Sequence, residues 1–333
     1  MSHLTMGHLK LMNSRVKSER IIEGKRKPSN VSLYPGTKEW ERLVLTQHIR
    51  EFASANLALP RNKSYLVYAD TKGGHLQWNL VAAPAFSVEP LTWCFPFAGC
   101  VVYRGYFSHE KIIKYAEGLR QKGYDILIYP VTAYSTLGWF NDPILYNHLK
   151  LDEISLAGLI FHELAHQQLY RKGDSRFSES FAVTVEREGV IRWLRATGRD
   201  SLVEVAQKRW QERELHNAAI IDARKRLAKL YSEFESAFDL MVRSSQNPAT
   251  DLNKDQHRVT TGNLTKEMKL AAKDSLMTIL AKELGEDPSE INNAWFIPSA
   301  TYYSLLPRFR ELLDSCGGDL EKFYREAEKV SFR

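Results

Sequence analysis

The chain has 333 residues, enough for one large core or for two lobes sharing an interface. Its 44% hydrophobic and 26% charged residues are ordinary for a globular protein, and the net charge of +6 is spread along the length. No dense basic patch is interleaved with aromatics, which argues against nucleic acid as a partner, and no run of eighteen apolar residues is present to span a bilayer.

Residues 1–35, with "SERIIEGKRKPSN", are polar and basic and read as a loosely held arm ahead of a single domain over 36–333. The opening "MSHLTMGHLK" lacks the charged start, apolar stretch and cleavage site of a signal peptide, so a cytoplasmic protein and an exported one stripped of its leader both fit. Thr37 then opens "TKEWERLVLTQHIREFASANLALP", where Trp40, Leu43, Val44 and Phe52 recur near helical spacing and Pro60 follows the end.

The next hundred residues change character. "YLVYA", "WNLVAAPAF", "GCVVYRGYF" and "DILIYPVTAY" are short, rich in Val, Ile, Tyr and Phe, and bounded by turn residues, so they predict strands. "TKGGH" between the first two reads as a hairpin turn. "SHEKIIKYAEGLRQKG" predicts a helix that Ser108 caps and Gly123 ends. Cys94 and Cys100 bracket "FPFAG" and either meet as a disulfide across a tight loop or pack as two small hydrophobes; Cys316 stands alone.

From residue 152 onward the pattern is helical, apart from a polar, Gly/Pro-punctuated stretch "SSQNPATDLNKDQHRVTTGN" that reads as a loop. The fold class expected is α+β: a small sheet lobe over 36–151, then a mostly helical part over 152–333.

The chemistry is in "LAGLIFHELAHQQLY", which Asp152 can cap. Burying ionisable groups in an apolar helix costs stability unless something offsets it. Residues four apart lie one above the other on a helix, so His162 and His166 project to a common point, as two ligands of one zinc ion require. Glu163, one step round, can reach a water held by that ion and take its proton. A third ligand is needed, and "GDSRFSESFAVTVEREGVIRWL" supplies Glu179, expected in the first turn of the next helix, and Glu186, seven residues on. One of them can ligate while the other holds a histidine or the substrate. Oxyanion donors are sought among tyrosines: Tyr134 after the last strand, or Tyr302 and Tyr303 in "PSATYY". Trp139 and Phe140 could line a side-chain pocket, and Asp142 or Glu186 could receive a substrate amino terminus.

"FHELAHQ" followed by "FSESFA" resembles the gluzincin arrangement, in which a glutamate on the next helix completes H-E-x-x-H. More narrowly, "GHLKLMNSR", "AAPAFSVEPLTWCFPFAGCVVYRGYF", "AYSTLGWFNDPIL", "LIFHELAHQ", "FSESFAVTVEREGVIRWL" and "INNAWFIPSATYYSLLPRFREL" resemble the bacterial putative aminopeptidases over nearly the whole chain. The resemblance implies a zincin-like zinc metallopeptidase acting on peptides, with one Zn2+ per chain on His162, His166 and Glu179 and with Glu163 as general base. Ser178 stands where that family usually has Asn. The resemblance also implies an envelope location with a lipid tether ahead of the chain, against the cytoplasmic alternative. A zinc hydrolase of another amide or ester, or a non-catalytic zinc-stapled interaction protein, remain the other readings of the motif.

Overall fold

A computed structural model describes residues 11, 15–25, 33–70, 76–95, 99–131, 136, 141–244 and 254–332, without the side chains of 235, 237–244 and 254–265. In chain order the elements are β1 (Val16–Lys17), α1 (Ser18–Ile22), α2 (Lys38–Asn56), β2 (Val67–Ala69), β3 (Trp78–Pro84), β4 (Trp93–Phe95), β5 (Gly99–Val101) and β6 (Arg104–Tyr106). There follow α3 (His109–Arg120), β7 (Tyr124–Pro130), β8 (Ile144–Leu145), α4 (Glu153–Gln168), α5 (Ser175–Ala196) and α6 (Asp200–Ser244). Last come α7 (Lys254–Leu284), α8 (Ile297–Tyr303), α9 (Leu306–Ser315) and α10 (Leu320–Lys329). The fold is mixed α+β with small sheets, as the sequence predicts.

The expected caps form. Thr37 accepts from the Trp40 amide, Ser108 from that of Lys111, and Asp152 from that of Ser155. Gly123 takes the left-handed conformation just past α3 (φ 80°).

The sheets differ from expectation. β2 and β3 do not form a hairpin: β2 pairs with β1 and, in parallel, with β8, whereas β3 is the centre of an antiparallel β6-β3-β7 sheet. The reason is visible in β3, where Asn79 to Ala83 are all buried. Such a strand needs neighbours on both edges and layers on both faces. Leu80 and Ala82 pack on α3, while Val81 and Ala83 pack on Ala294 and Ile297. "GCVVYRGYF" divides into β5 and β6, and β5 pairs with β4 so that Cys94 faces Cys100 in a disulfide. Part of the arm is held, with β1 on β2 and Ile21 in the main core. The polar stretch read as a loop is helical from Lys254; residues 245–253 lie outside the described ones.

The main core wraps α4 and α5. Phe161, Phe177, Phe181, Phe309 and Phe323 are fully buried there, and Phe181 stacks on Phe323 at 5.5 Å. Gly189 lets the two helices approach: a Cβ at that position would lie 2.8 Å from both Leu57 Cδ1 and Phe161 Cδ2. No described helix is long and apolar enough to cross a membrane.

Candidate metal centre

The short connection between α4 and α5 turns the chain back on itself, which sets the two helices antiparallel. Asp174 caps α5 by accepting from the Phe177 amide, so the helix starts at Ser175 and Glu179 stands in its second turn, not its first. The capping side chain takes over residues expected as turn, and the helix N-terminus is correspondingly farther from Glu179. Ser178 accepts from the Arg171 amide at 3.1 Å and donates to the Asp174 carbonyl at 3.0 Å, fixing the turn between the helices.

Three donor atoms converge across this pair. His166 Nε2 lies 3.2 Å from His162 Nε2; Glu179 Oε2 lies 3.3 Å from the first of these histidines in the chain and 3.4 Å from the second. They form a group able to hold a metal ion. Both His166 and Glu179 are buried, at 7% and 9% exposure. Glu186, two turns along α5, sets its Oε2 3.0 Å from His162 Nδ1. It orients the imidazole and does not join the donor group. Gly158 makes room for it, since a Cβ there would stand 3.2 Å from Glu186 Oε1. His166 Nδ1 is buried with no hydrogen-bond partner among the described residues.

Burial alone would lower the His162 pKa, but the hydrogen bonds it can donate to Glu179 and Glu186 outweigh it and hold the imidazole well above the usual range. Burial likewise opposes ionisation of Glu179, yet the His166 and His162 rings beside it bring its carboxyl down to about 2. The pair is therefore polarised for carboxylate against cation, and a divalent ion would take the place of the imidazole proton.

Glu163 is part-buried on α4 beside this group. Tyr302, on α8, stacks against His162 with ring centroids 6.5 Å apart, and its backbone carbonyl accepts from Ser180 Oγ at 3.1 Å. The Glu179 charge, then burial, push its phenol well above the ordinary value, so it remains a donor at any physiological pH. Tyr303 follows it at the end of α8 and is part-buried. Tyr134, Trp139 and Phe140 lie outside the described residues.

Asp142 is 0% exposed, and its carboxylate accepts from the Thr136 amide and hydroxyl and from Gln167. This carboxylate knits loops to α4. Three further tyrosines feel the Glu179 charge: Tyr103 between β5 and β6, Tyr129 on β7 and Tyr170 after α4. Burial first, then Glu179, raise the Tyr103 and Tyr170 phenols. Tyr129 stands at about 12, where burial and Glu179 outweigh a bond from Asn79. Sequence reasoning missed all three, because a strand tyrosine ordinarily signals packing. Only Tyr170, four residues past His166 and edge-on to its ring at 6.1 Å, carried a local signal in its helical spacing.

A mixed α+β fold that sets two imidazoles and a carboxylate on paired helices defines a protein with a group able to hold a metal ion. The chain belongs to the family described as Putative aminopeptidase, whose model matches residues 1–332. Membership supports peptidase activity. No curated protein and no solved structure matches the chain.

Proposed function

We propose that the protein is a zinc-dependent peptidase of the gluzincin type, acting as an aminopeptidase, with His162, His166 and Glu179 holding one zinc ion. The donor triangle carries the reading. A tetrahedral zinc with ligand bonds of about 2.0–2.1 Å separates its donors by about 3.3–3.4 Å, and the three donor atoms stand 3.2, 3.3 and 3.4 Å apart. Two imidazoles and one carboxylate are the donor set of a catalytic rather than a structural zinc, with a fourth position left open. The bond from Glu186 to His162 Nδ1 is the carboxylate–histidine support such a ligand uses.

When bound, zinc supplies a Lewis acid that polarises a carbonyl and brings a water near neutral acidity. Glu163 accepts the proton of the attacking water and returns it to the leaving amine. Tyr302 donates its phenol proton to the carbonyl oxygen as negative charge develops there, and the raised pKa keeps that proton in place. Tyr103, Tyr129 and Tyr170, near enough to feel the Glu179 charge, would limit water around the reacting groups.

The envelope location rests on resemblance, and the Cys94–Cys100 disulfide supports an oxidising compartment. A lipid tether ahead of the chain would fit that location.

A panel of free and N-blocked amino-acyl and peptide substrates, run with the zinc-loaded protein and with Glu163→Gln, tests the function. Turnover of free-amine peptides by the native chain, reduced at least a hundredfold by the substitution, is expected. Cleavage confined to non-peptide amides or esters would move the substrate class, and equal inactivity of both proteins would leave a zinc-stapled interaction protein.

A further inference from the structure

The wall behind Glu163 contains a residue held in an unusual way. Gln167 is four residues after Glu163 on α4, so the two side chains lie one above the other on the same face. Gln167 is seated on the loop after α2: its Nε2 donates to Ser64 Oγ at 3.3 Å, and its Oε1 accepts from Asn62 Nδ2 at 2.7 Å. That loop is rigid. Arg50, 3% exposed, donates from Nε to the Ser64 carbonyl at 3.0 Å and from Nη2 to the Pro60 and Asn62 carbonyls at 2.6 and 3.1 Å.

Tyr65 comes next in the loop. Its amide donates to the Asp142 carbonyl at 2.6 Å, and its backbone sits at φ 64°, a left-handed conformation that bulky residues avoid. The side chain is 0% exposed, and its hydroxyl has no hydrogen-bond partner among the described residues. Burial first, then the Glu163 and Asp142 charges, raise that phenol well above its ordinary value, with Arg50 opposing. A phenylalanine would fill the same volume without enclosing an unpaired polar oxygen, which costs stability wherever it is left unmade. Strain and an orphaned donor together, on a loop bonded to α4 one turn past Glu163, call for a role that packing does not supply.

We propose that Tyr65 is a positioning residue whose hydroxyl donates to the Glu163 carboxylate through one enclosed water. One carboxylate oxygen is then fixed in the wall while the other faces the cleft. Such a bridge ends on a charged oxygen, and it gains strength in a site closed to bulk water. The role rests on the reading of Glu163 as general base, but the bond itself does not.

Two measurements on the zinc-loaded protein separate these layers. Melting of the native chain, Tyr65→Phe, Glu163→Ala and the double variant forms a thermodynamic cycle. Tyr65→Phe should lower the melting temperature by about 2–4 °C in the native background and leave it unchanged or raise it where Glu163 is absent. Equal shifts in both backgrounds would overturn the bond. Kinetically, Tyr65→Phe should reduce kcat roughly tenfold or more with KM and zinc content unchanged, the pattern of a contact used in the transition state. Coupling in the cycle with an unchanged kcat would overturn the positioning role. If the native chain cleaves no peptide at all, the peptidase reading fails while the cycle still reports on the bond.

Discussion

His162 meets two carboxylates, and the structure gives them different work. Glu179 reaches its Nε2 together with that of His166, whereas Glu186 reaches only the far nitrogen, Nδ1. If the first is a ligand and the second a support, their removal should differ in degree. Glu179→Ala is expected to abolish tight zinc binding, and Glu186→Gln to weaken it about 10–100-fold, read by competition with a calibrated chelator. Equal losses would overturn the division. Gly158 offers a subtler test of the same contact. Its Cβ in Gly158→Ala would press on Glu186 Oε1 at 3.2 Å and Cγ at 3.4 Å. The substitution gains up to about 1 kcal/mol of helix propensity, so the apo fold should hold or improve in a urea titration. Zinc affinity should nevertheless fall, because the carboxylate that must yield holds His162 Nδ1 through its other oxygen, Oε2.

At the level of elements, spacing within one helix was the most legible part of the site. His162 and His166 share a face because of a four-residue step that needs no tertiary knowledge. The glutamates were harder, since Glu179 and Glu186 are seven residues apart and share nearly one face of α5. Choosing between them depends on how α5 crosses α4, which two glycines and a shelf of buried phenylalanines decide. The turn joining the helices depends in turn on the disulfide hairpin, whose Gly99 sits against Lys172 and Gly173. A Cβ on Gly99 would stand 2.7 Å from Lys172 Cγ and 2.8 Å from the Gly173 amide nitrogen, at a left-handed φ of 77° that a side chain resists. Gly99→Ala should therefore displace the 171–173 turn and misalign His166 with Glu179. The expected result is weaker zinc binding with the Cys94–Cys100 bond intact, checked by metal analysis beside a thiol count; unchanged affinity would show the turn to be held without the hairpin.

For the whole molecule, fold class was legible and sheet partnership was not. Alternation and β-branched content mark strands but say nothing of which strand lies beside which, so β2 was joined to β3 although it pairs with β8, more than seventy residues away. That parallel pairing sets Ser64 and Tyr65 beside the Asp142 backbone, just ahead of β8, while its carboxylate reaches Gln167 on α4. Burial raises the Asp142 carboxyl to about 7, with bonds from Thr136 opposing, the Glu163 charge adding and Arg15 opposing, against 3.8 for the unfolded residue. The folded state thus holds this proton more tightly than the unfolded chain does. Asp142 contributes its full stability below about pH 4 and loses it as pH rises through about 7. Asp142→Asn mimics the protonated side chain and removes that dependence. Between pH 4 and pH 8 the native chain should lose a few kcal/mol relative to the variant, because the remaining titrating groups are common to both. Urea midpoints of the two proteins across this range give the difference, and curves that stay parallel would mean that Asp142 is already ionised at acid pH and that Thr136 and Gln167 suffice to hold its charge.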